Sequence, residues 1–348
     1  MTEFEIIDKY LKKLGHFKNN KFLSKDSFIG IGDDGAVLPL AGNEETVVST
    51  DTMVEGTHFL AESDPSSVGQ KLLSVNVSDI AAMGAEPVCF TLNLTLYEYN
   101  HLWLTNFCEG LSKIAVENNC PLVGGDITKG KKGGSKVLSV TILGLTVNNK
   151  VLRRDSLNVG DDIWISGDLG EVSTALSLNK YSEKLNFPRP RLELARKIRN
   201  FASSAIDISD GLSTELAHML FASSKKQNRN FCIEIYFDAF ENCLSPWMRV
   251  WLKGRVSNFD LCKIASASGD EYELCFSASK RERNLIKKLS EKLKMPLTLI
   301  GEVFENSDSY RFKESVSSSG VVWLKSKGEV LPRNNIPESG YLHFFNNS

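Results

Sequence analysis

The chain has no apolar run of about 18 residues, the length needed to cross a bilayer as a helix, and no Cys-x-x-Cys pair. Its opening residues, Met1-Thr2-Glu3-Phe4-Glu5, are acidic where an export signal would be basic. A membrane span, a secretory leader and a paired-thiolate motif are therefore not expected, and a cytoplasmic location is. The seven cysteines are an odd number and stand at least eleven residues apart, as reduced thiols of an intracellular protein would. Histidine is scarce, with only His16, His58, His101, His218 and His343, too few to suggest a histidine-rich two-metal hydrolase. There is no Gly-x-Ser-x-Gly elbow for serine-hydrolase chemistry. Neither sign of charge dominates: 41 Lys and Arg face 43 Asp and Glu, so bulk attraction to nucleic acid or anionic lipid is excluded.

What remains is a globular composition, 42% hydrophobic, in a 348-residue chain long enough for two cores of roughly 150 residues each. The polar, basic stretch Asn148 to Gly160 is the expected boundary, dividing residues 1–150 from 151–348. Helices are predicted at Thr2 to Gly15, Asp64 to Met83, His101 to Asn118, Glu171 to Ser177, Arg191 to Phe201, Ser213 to Ser223, Pro246 to Leu252 and Arg281 to Lys292. Strands are predicted at Thr46 to Ser49, Pro87 to Leu94, Leu122-Val123, Val137 to Leu145, Ile163 to Ser166, Ala205 to Ile208, Phe231 to Tyr236, Tyr272 to Ser277 and Leu297 to Val303. Ser307 to Ser319 reads as an exposed loop. This mixture of strands and helices makes an α/β chain.

The informative feature is a set of acids at strand ends and in Gly-flanked turns: Asp33-Asp34, Asp51, Asp79, Asp126, and Asp207 with Asp210. Each stands beside apolar or Gly residues, where an unpaired carboxylate is costly and a hard cation relieves the cost. Oxygen donors without accompanying His or Cys select Mg²⁺, which is commonly shared with phosphates. The competing reading, Asx turns and helix caps, suits any one of these acids alone but not five places together.

Gly125 to Lys132, GDITKGKK, imitates a phosphate-binding loop but has Lys132 where the metal-binding Ser or Thr belongs. Gly124-Gly125-Asp126 after a short strand instead suggests close approach of backbone to phosphate. Arg153-Arg154 could clamp phosphates through a guanidinium fork, or serve as a surface pair. His58 lies seven residues past Asp51, which makes it a candidate substrate contact against the commoner role of structural hydrogen-bonder.

The segments GIGDDGAV (30–37), STDTMVEGTHF (49–59), VNVSDIAAMGAEP (75–87), LVGGDITKG (122–130), DISDGL (207–212) and SGDEYELCF (268–276) occur in an order and spacing that resembles the thiamine-monophosphate kinase family. The likeness runs from about residue 25 to 345. It implies a two-domain fold like that of aminoimidazole ribonucleotide synthetase: an N-terminal mixed sheet that pairs across a homodimer, and a C-terminal α/β sandwich. It implies transfer of the terminal phosphoryl group of ATP to thiamine monophosphate with several Mg²⁺ ions. The positions matching metal ligands are Asp34, Ser49, Thr50, Asp51, Asp79, Asp126, Asp207 and Asp210, with Asp33 adjacent; Asp126 and Asp210 are expected to be central to turnover. Gly125, Asp126, Arg154 and Ser209 match ATP contacts, and His58, Asp270 and Tyr341 match acceptor contacts. The family motif Gly-Glu-Asp-Tyr-Glu-Leu stands here as Gly269-Asp270-Glu271-Tyr272-Glu273-Leu274, the two acids exchanged, so Glu271 is a candidate beside Asp270. Another ATP-dependent member of that superfamily, or a non-catalytic magnesium-nucleotide-binding dimer, is the alternative.

Overall fold

A computed structural model describes residues 36–39, 45–98, 100–146, 150–307, 320–324 and 330. The helix expected at Thr2 to Gly15, the acids Asp33 and Asp34, Tyr341, and the Ser-rich stretch beyond Ser307 lie outside the described residues. The fold is mixed α/β. The chain divides into two compact units, passing from one to the other between Val151 and Leu152, with Asn186–Lys197 returning to the first.

The first unit runs β1 (Ala36–Pro39), β2 (Glu45–Val54), α1 (Pro65–Ala82), β3 (Glu86–Leu96), α2 (His101–Glu117), β4 (Leu122–Lys129) and β5 (Val137–Leu145). Its five-stranded sheet has the order β1-β2-β5-β3-β4, antiparallel except for the β3/β4 pair. Strand β5 alternates, with Leu138, Val140 and Ile142 fully buried between half-exposed neighbours, as a sheet with one covered face requires. Helix α1 opens on Pro65, with Asp64 accepting from the Ser66 and Ser67 amides at 3.3 and 3.1 Å. It packs on β2 and β5 and crosses α2 at a pair of glycines. A Cβ on Gly69 would meet Phe107 O at 2.1 Å, and one on Gly110 would meet Ser66 O at 1.9 Å, so the crossing distance depends on both.

The second unit contains β6 (Asp162–Ser166), α3 (Glu171–Ser177), α4 (Glu183–Asn186), β7 (Ala202–Asp207), α6 (Leu212–Gln227), β8 (Phe231–Tyr236), α7 (Phe237–Glu241), α8 (Pro246–Trp251), α9 (Asn258–Ser266), β9 (Leu274–Ala278), α10 (Arg283–Leu293), β10 (Leu297–Glu305) and β11 (Val321–Leu324). The intervening α5 (Leu192–Ile198) lies mostly in the segment that returns to the first unit, where Arg196 pairs with Glu86 at 2.7 Å. The sheet order is β11-β8-β10-β6-β9-β7. All five residues of β6 are buried, and Ile163, Ile165, Ile206, Leu212, Leu216, Met219 and Phe240 belong to one core. Each such fully buried side chain contributes ~1.5–3 kcal/mol relative to exposure.

Most predicted elements form within a few residues of their expected bounds. Helix α9 was not predicted, although its start is marked: Ser257 accepts from the Asp260 amide at 3.1 Å, an N-cap spacing. The strand expected from Tyr272 begins only at Leu274, because Asp270 and Tyr272 adopt left-handed backbone angles, φ +57° and +50°, that no strand accommodates. All seven cysteines are free and five are buried, and burial pushes the thiols of Cys120, Cys243 and Cys262 up to about 12. Among the described residues no helix is long and apolar enough to cross a membrane.

Candidate functional site

In the first unit the period of a strand places Ser49, Asp51 and Met53 toward α1 and leaves Thr50 and Thr52 on the open face. Asp79 meets the first set from the helix: it accepts from Ser49 Oγ at 2.5 Å and shares a hydrogen bond with Asp51. Burial drives the Asp51 carboxyl up to about 6, tempered by that bond to Asp79. Two carboxyls and a hydroxyl in one partly buried place form an all-oxygen donor set, the type that suits a hard divalent cation. Among the described residues, no three candidate metal-binding acids, histidines or cysteines come together.

Asp126 lies elsewhere on the same sheet. In register across the strands, Thr52, Ser139, Asn93 and Asp126 form one row, and Asp51, Val140, Leu92 and Gly125 the next. Asp126 is thus three strands from β2, ~14 Å at the usual strand spacing, and shares the open face with Thr52. Its Oδ2 accepts from Thr128 Oγ1 at 2.9 Å. Thr50 and Thr141 hydroxyls meet at 3.0 Å and Thr52 and Ser139 at 2.7 Å along this face. Gly125 has φ +144°, and a Cβ there would lie 1.8 Å from Leu92 O, so the strand carries no side chain at that point. Residues 122–129 continue as a strand instead of entering a helix, which separates this segment from a true phosphate-binding loop.

His58 ends the turn that follows β2. Its Nδ1 accepts from the Val54 amide at 3.0 Å, while the His58 amide returns to Val54 O at 2.9 Å. That assignment puts the proton of the neutral ring on Nε2, which becomes a donor. At the same end of the sheet stand residues that sequence reasoning missed. Lys136 pairs with Glu55 at 2.5 Å, hydrogen-bonds Tyr97 at 3.2 Å, and lies over the Tyr97 and Trp103 rings at 4.6 and 5.5 Å. A cavity of about 150 Å³ opens beside them, lined by Ala61, Tyr97, Trp103 and Lys136 among others. These positions are scattered through the chain and belong to no local motif, so no sequence signal marked them.

In the second unit the Asp207–Gly211 turn and the Gly269–Glu273 turn interlock. The Ile208 amide donates to Glu273 O at 2.8 Å, the Tyr272 amide to Ile208 O at 2.8 Å, and the Asp270 amide to Ser209 O at 2.7 Å. A Cβ on Gly269 would reach 2.8 Å from Ser209 O and one on Gly211 2.9 Å from the Ala267 carbonyl carbon. Asp207 is buried at the end of β7. The Asp210 amide and Ser209 Oγ both donate to Glu215 Oε1, at 3.0 and 3.3 Å, from the first turn of α6.

The two exchanged acids behave differently. Asp270 is half-buried and accepts from the Tyr272 hydroxyl at 2.9 Å. Glu271 is buried and accepts from the Gly170 amide at 2.7 Å and Ser268 Oγ at 2.6 Å, and pairs with Lys184 at 2.8 Å. The two arginines differ as well. Arg153 forks onto Asp155 through Nε at 2.9 Å and a terminal nitrogen at 2.5 Å, while Arg154 is buried.

Comparison with known proteins follows the same lines. Residues 32–146 match the family model for AIR synthase related protein, N-terminal domain. The chain is 35% identical over 336 residues to thiamine-monophosphate kinase of Buchnera aphidicola subsp. Acyrthosiphon pisum, covering 90% of this chain and 97% of that one. The crystal structure of thiamine-monophosphate kinase from Stenotrophomonas maltophilia K279a superposes with a TM-score of 0.70 at 34% identity, over 94% of this chain and 98% of that one. A structure of AaThiL complexed with AMPPCP and TMP superposes with a TM-score of 0.76 at 26% identity, over 99% and 97% of the two chains.

Proposed function

The chain belongs to the thiamine-monophosphate kinase family, and from that premise we propose that it transfers the γ-phosphoryl group of ATP in line to thiamine monophosphate, with magnesium, giving thiamine diphosphate and ADP. It is a phosphotransferase. The observation that carries the reading is similarity along nearly the whole length of named kinases, including one solved with a nucleotide analogue and TMP.

The acceptor is itself a phosphate, largely ionised at neutral pH, so no side chain is needed to remove a proton. An oxygen of the acceptor phosphate attacks the γ-phosphorus, the bond to the β–γ bridging oxygen breaks, and ADP leaves with the electron pair. The obstacle is repulsion between two anions. Ser49, Thr50, Asp51, Asp79, Asp126, Asp207 and Asp210, with Asp33 and Asp34, are the residues that would hold Mg²⁺, and the oxygen-only set around Asp51 and Asp79 fits it. Bound magnesium supplies neutralisation of the phosphate charge. Gly125 lets backbone approach the nucleotide phosphates, and Ser209 and Arg154 orient them. His58, with Nε2 as a donor, and Asp270 and Tyr341 are assigned as acceptor contacts, and Glu271 supports Asp270 from within the fold of its own unit. Residues 1–150 are assigned ATP and magnesium binding and dimerisation, and residues 151–348 the remaining nucleotide and substrate contacts.

A homodimer paired through the N-terminal sheets accords with the open face bearing Thr50, Thr52, Asn93 and Ser139, and with β4, whose eight residues are all exposed. Incubation of the protein with ATP, Mg²⁺ and thiamine monophosphate, followed by chromatography, is expected to yield equal amounts of ADP and thiamine diphosphate. ADP with no thiamine diphosphate would refute the reading.

A further inference from the structure

Lys184, whose side chain is 14% exposed, is a cation placed where no sequence motif points. It sits in the four-residue helix α4, and its ammonium meets Glu271 at 2.8 Å, Glu273 at 3.2 Å and Asp168 at 3.5 Å, and also donates to the Asp168 carbonyl. Glu271 and Glu273 are at most 2% exposed. Both glutamates flank Tyr272 in the turn that carries Asp270, and each is tied to a different part of the fold. Glu271 accepts from the Gly170 amide at the start of α3, and Glu273 accepts from Ser166 Oγ of β6 at 2.6 Å. Gly167 has no room for a side chain, since a Cβ there would lie 2.1 Å from Glu273 Oε1. Lys184 is therefore the charge that lets two buried carboxylates stand side by side beneath a turn holding two left-handed residues, Asp270 and Tyr272.

The neighbouring Ser209-Asp210 turn has its own support. Glu215, only 3% exposed, receives the Asp210 amide and Ser209 Oγ and owes nothing to Lys184. The two interlocked turns are thus held by two separate struts, one on α6 and one on α4.

We propose that Lys184 is a positioning residue for the acceptor, holding Asp270 in place through Glu271, while Glu215 performs the corresponding service for the nucleotide contact Ser209. This rests on the reading of the chain as a thiamine-monophosphate kinase in which Asp270 faces the acceptor. Removing the Lys184 charge leaves Glu271 and Glu273 repelling each other, and the turn relaxes by shifting Asp270 away from its productive place. The Ser209-Asp210 turn, still bound to Glu215, moves less.

The test measures kcat and both KM values for the wild type, Lys184→Gln, Lys184→Arg and Glu215→Gln, together with their unfolding midpoints. For Lys184→Gln the KM for thiamine monophosphate is expected to rise ~10-fold or more, while that for ATP stays within ~2-fold. Lys184→Arg, which keeps the charge, recovers most of the loss. Glu215→Gln gives the reverse pattern, with the ATP value rising more. If Lys184→Gln lowers the midpoint but leaves both KM values unchanged, or raises both alike, the proposal is overturned. Should that variant fail to fold, the double variant Lys184→Gln with Glu273→Gln, which removes the repulsion along with the cation, is expected to bring the KM for thiamine monophosphate back to within ~2-fold of wild type, and a value that stays raised ~10-fold overturns the proposal. A wild-type protein that makes no thiamine diphosphate overturns the kinase reading instead, a result distinct from any pattern among the variants.

Discussion

Asp51 and Glu271 are both carboxyls that burial pushes above the ordinary range, and they are kept in opposite company. For Asp51 the push reaches about 6, and the neighbour that tempers it is a second carboxyl, Asp79. For Glu271 the opposing influences are the Lys184 ammonium, the Ser268 hydroxyl and the Gly170 amide. A carboxyl beside a carboxyl must share a proton or a cation. A carboxyl beside a lysine already has its counter-charge and can act as a strut. Two acids in short motifs, Asp51 between two threonines and Glu271 beside Asp270, therefore separate into a ligand candidate and a structural support once their spatial neighbours are known.

The sharpest way to break this comparison is substitution at the ligand-type acids. Asp51→Asn and Asp126→Asn are each expected to lower turnover ~10³-fold, the scale of losing an electrostatic stabiliser of charge in flight. Their urea midpoints should stay at or above the wild-type value, since Asp51→Asn removes a carboxyl that burial disfavours. Near-normal turnover in Asp51→Asn would place Asp51 in the same class as Glu271.

A second measurement separates support by backbone from support by side chains. Gly125→Ala forces a Cβ against the Leu92 carbonyl, and a loss of ~2–4 kcal/mol is expected from urea unfolding. Gly133→Ala also sits at positive φ, +75°, but its Cβ meets nothing within 4 Å. That variant should lose only ~1 kcal/mol. Equal losses would show that the close approach of β4 to β3 is not what requires glycine at 125.

The smallest effect concerns a strut nearer the surface. Burial alone would raise the Asp155 carboxyl, but Arg153 and Lys226 more than offset this and hold it at about 2 instead of the usual 3.8. A carboxylate depressed in the folded state contributes stability above its unfolded value, and loses it as pH falls through the folded one. Stability from Asp155 is thus present above pH 3.8 and lost on the way to about 2. Asp155→Asn should flatten that part of the acid-unfolding curve and leave neutral-pH turnover unchanged. An unaltered acid slope would show that the Arg153 fork contributes nothing measurable.

Much of the architecture was legible because the relevant signals are local. Strand β5 shows period-two burial at Leu138, Val140 and Ile142, and α1 starts at an Asp-Pro cap; both follow from residues a few positions apart. The local pattern supports a strand only at Leu122-Val123, whereas β4 extends over eight residues, because Gly124 and Gly125 weaken that pattern while pairing with β3 sustains the strand. The candidate site was legible in its acids and turns. It was not legible in Lys184, Glu215, Lys136 or Tyr97, none of which lies in a marked motif and all of which act through contacts with segments distant in sequence or on another element.

The sequence alone determined which residue types were available for chemistry: oxygen donors without thiolate or imidazole partners, glycines at the points of closest backbone approach, and order and spacing that place the chain in a kinase family. Only the tertiary structure decided which acid faces another acid and which faces a lysine. The reason is physical: an acid's charge state is set by whatever packs within a few ångströms of it, and those neighbours are brought together by folding, not by adjacency along the chain.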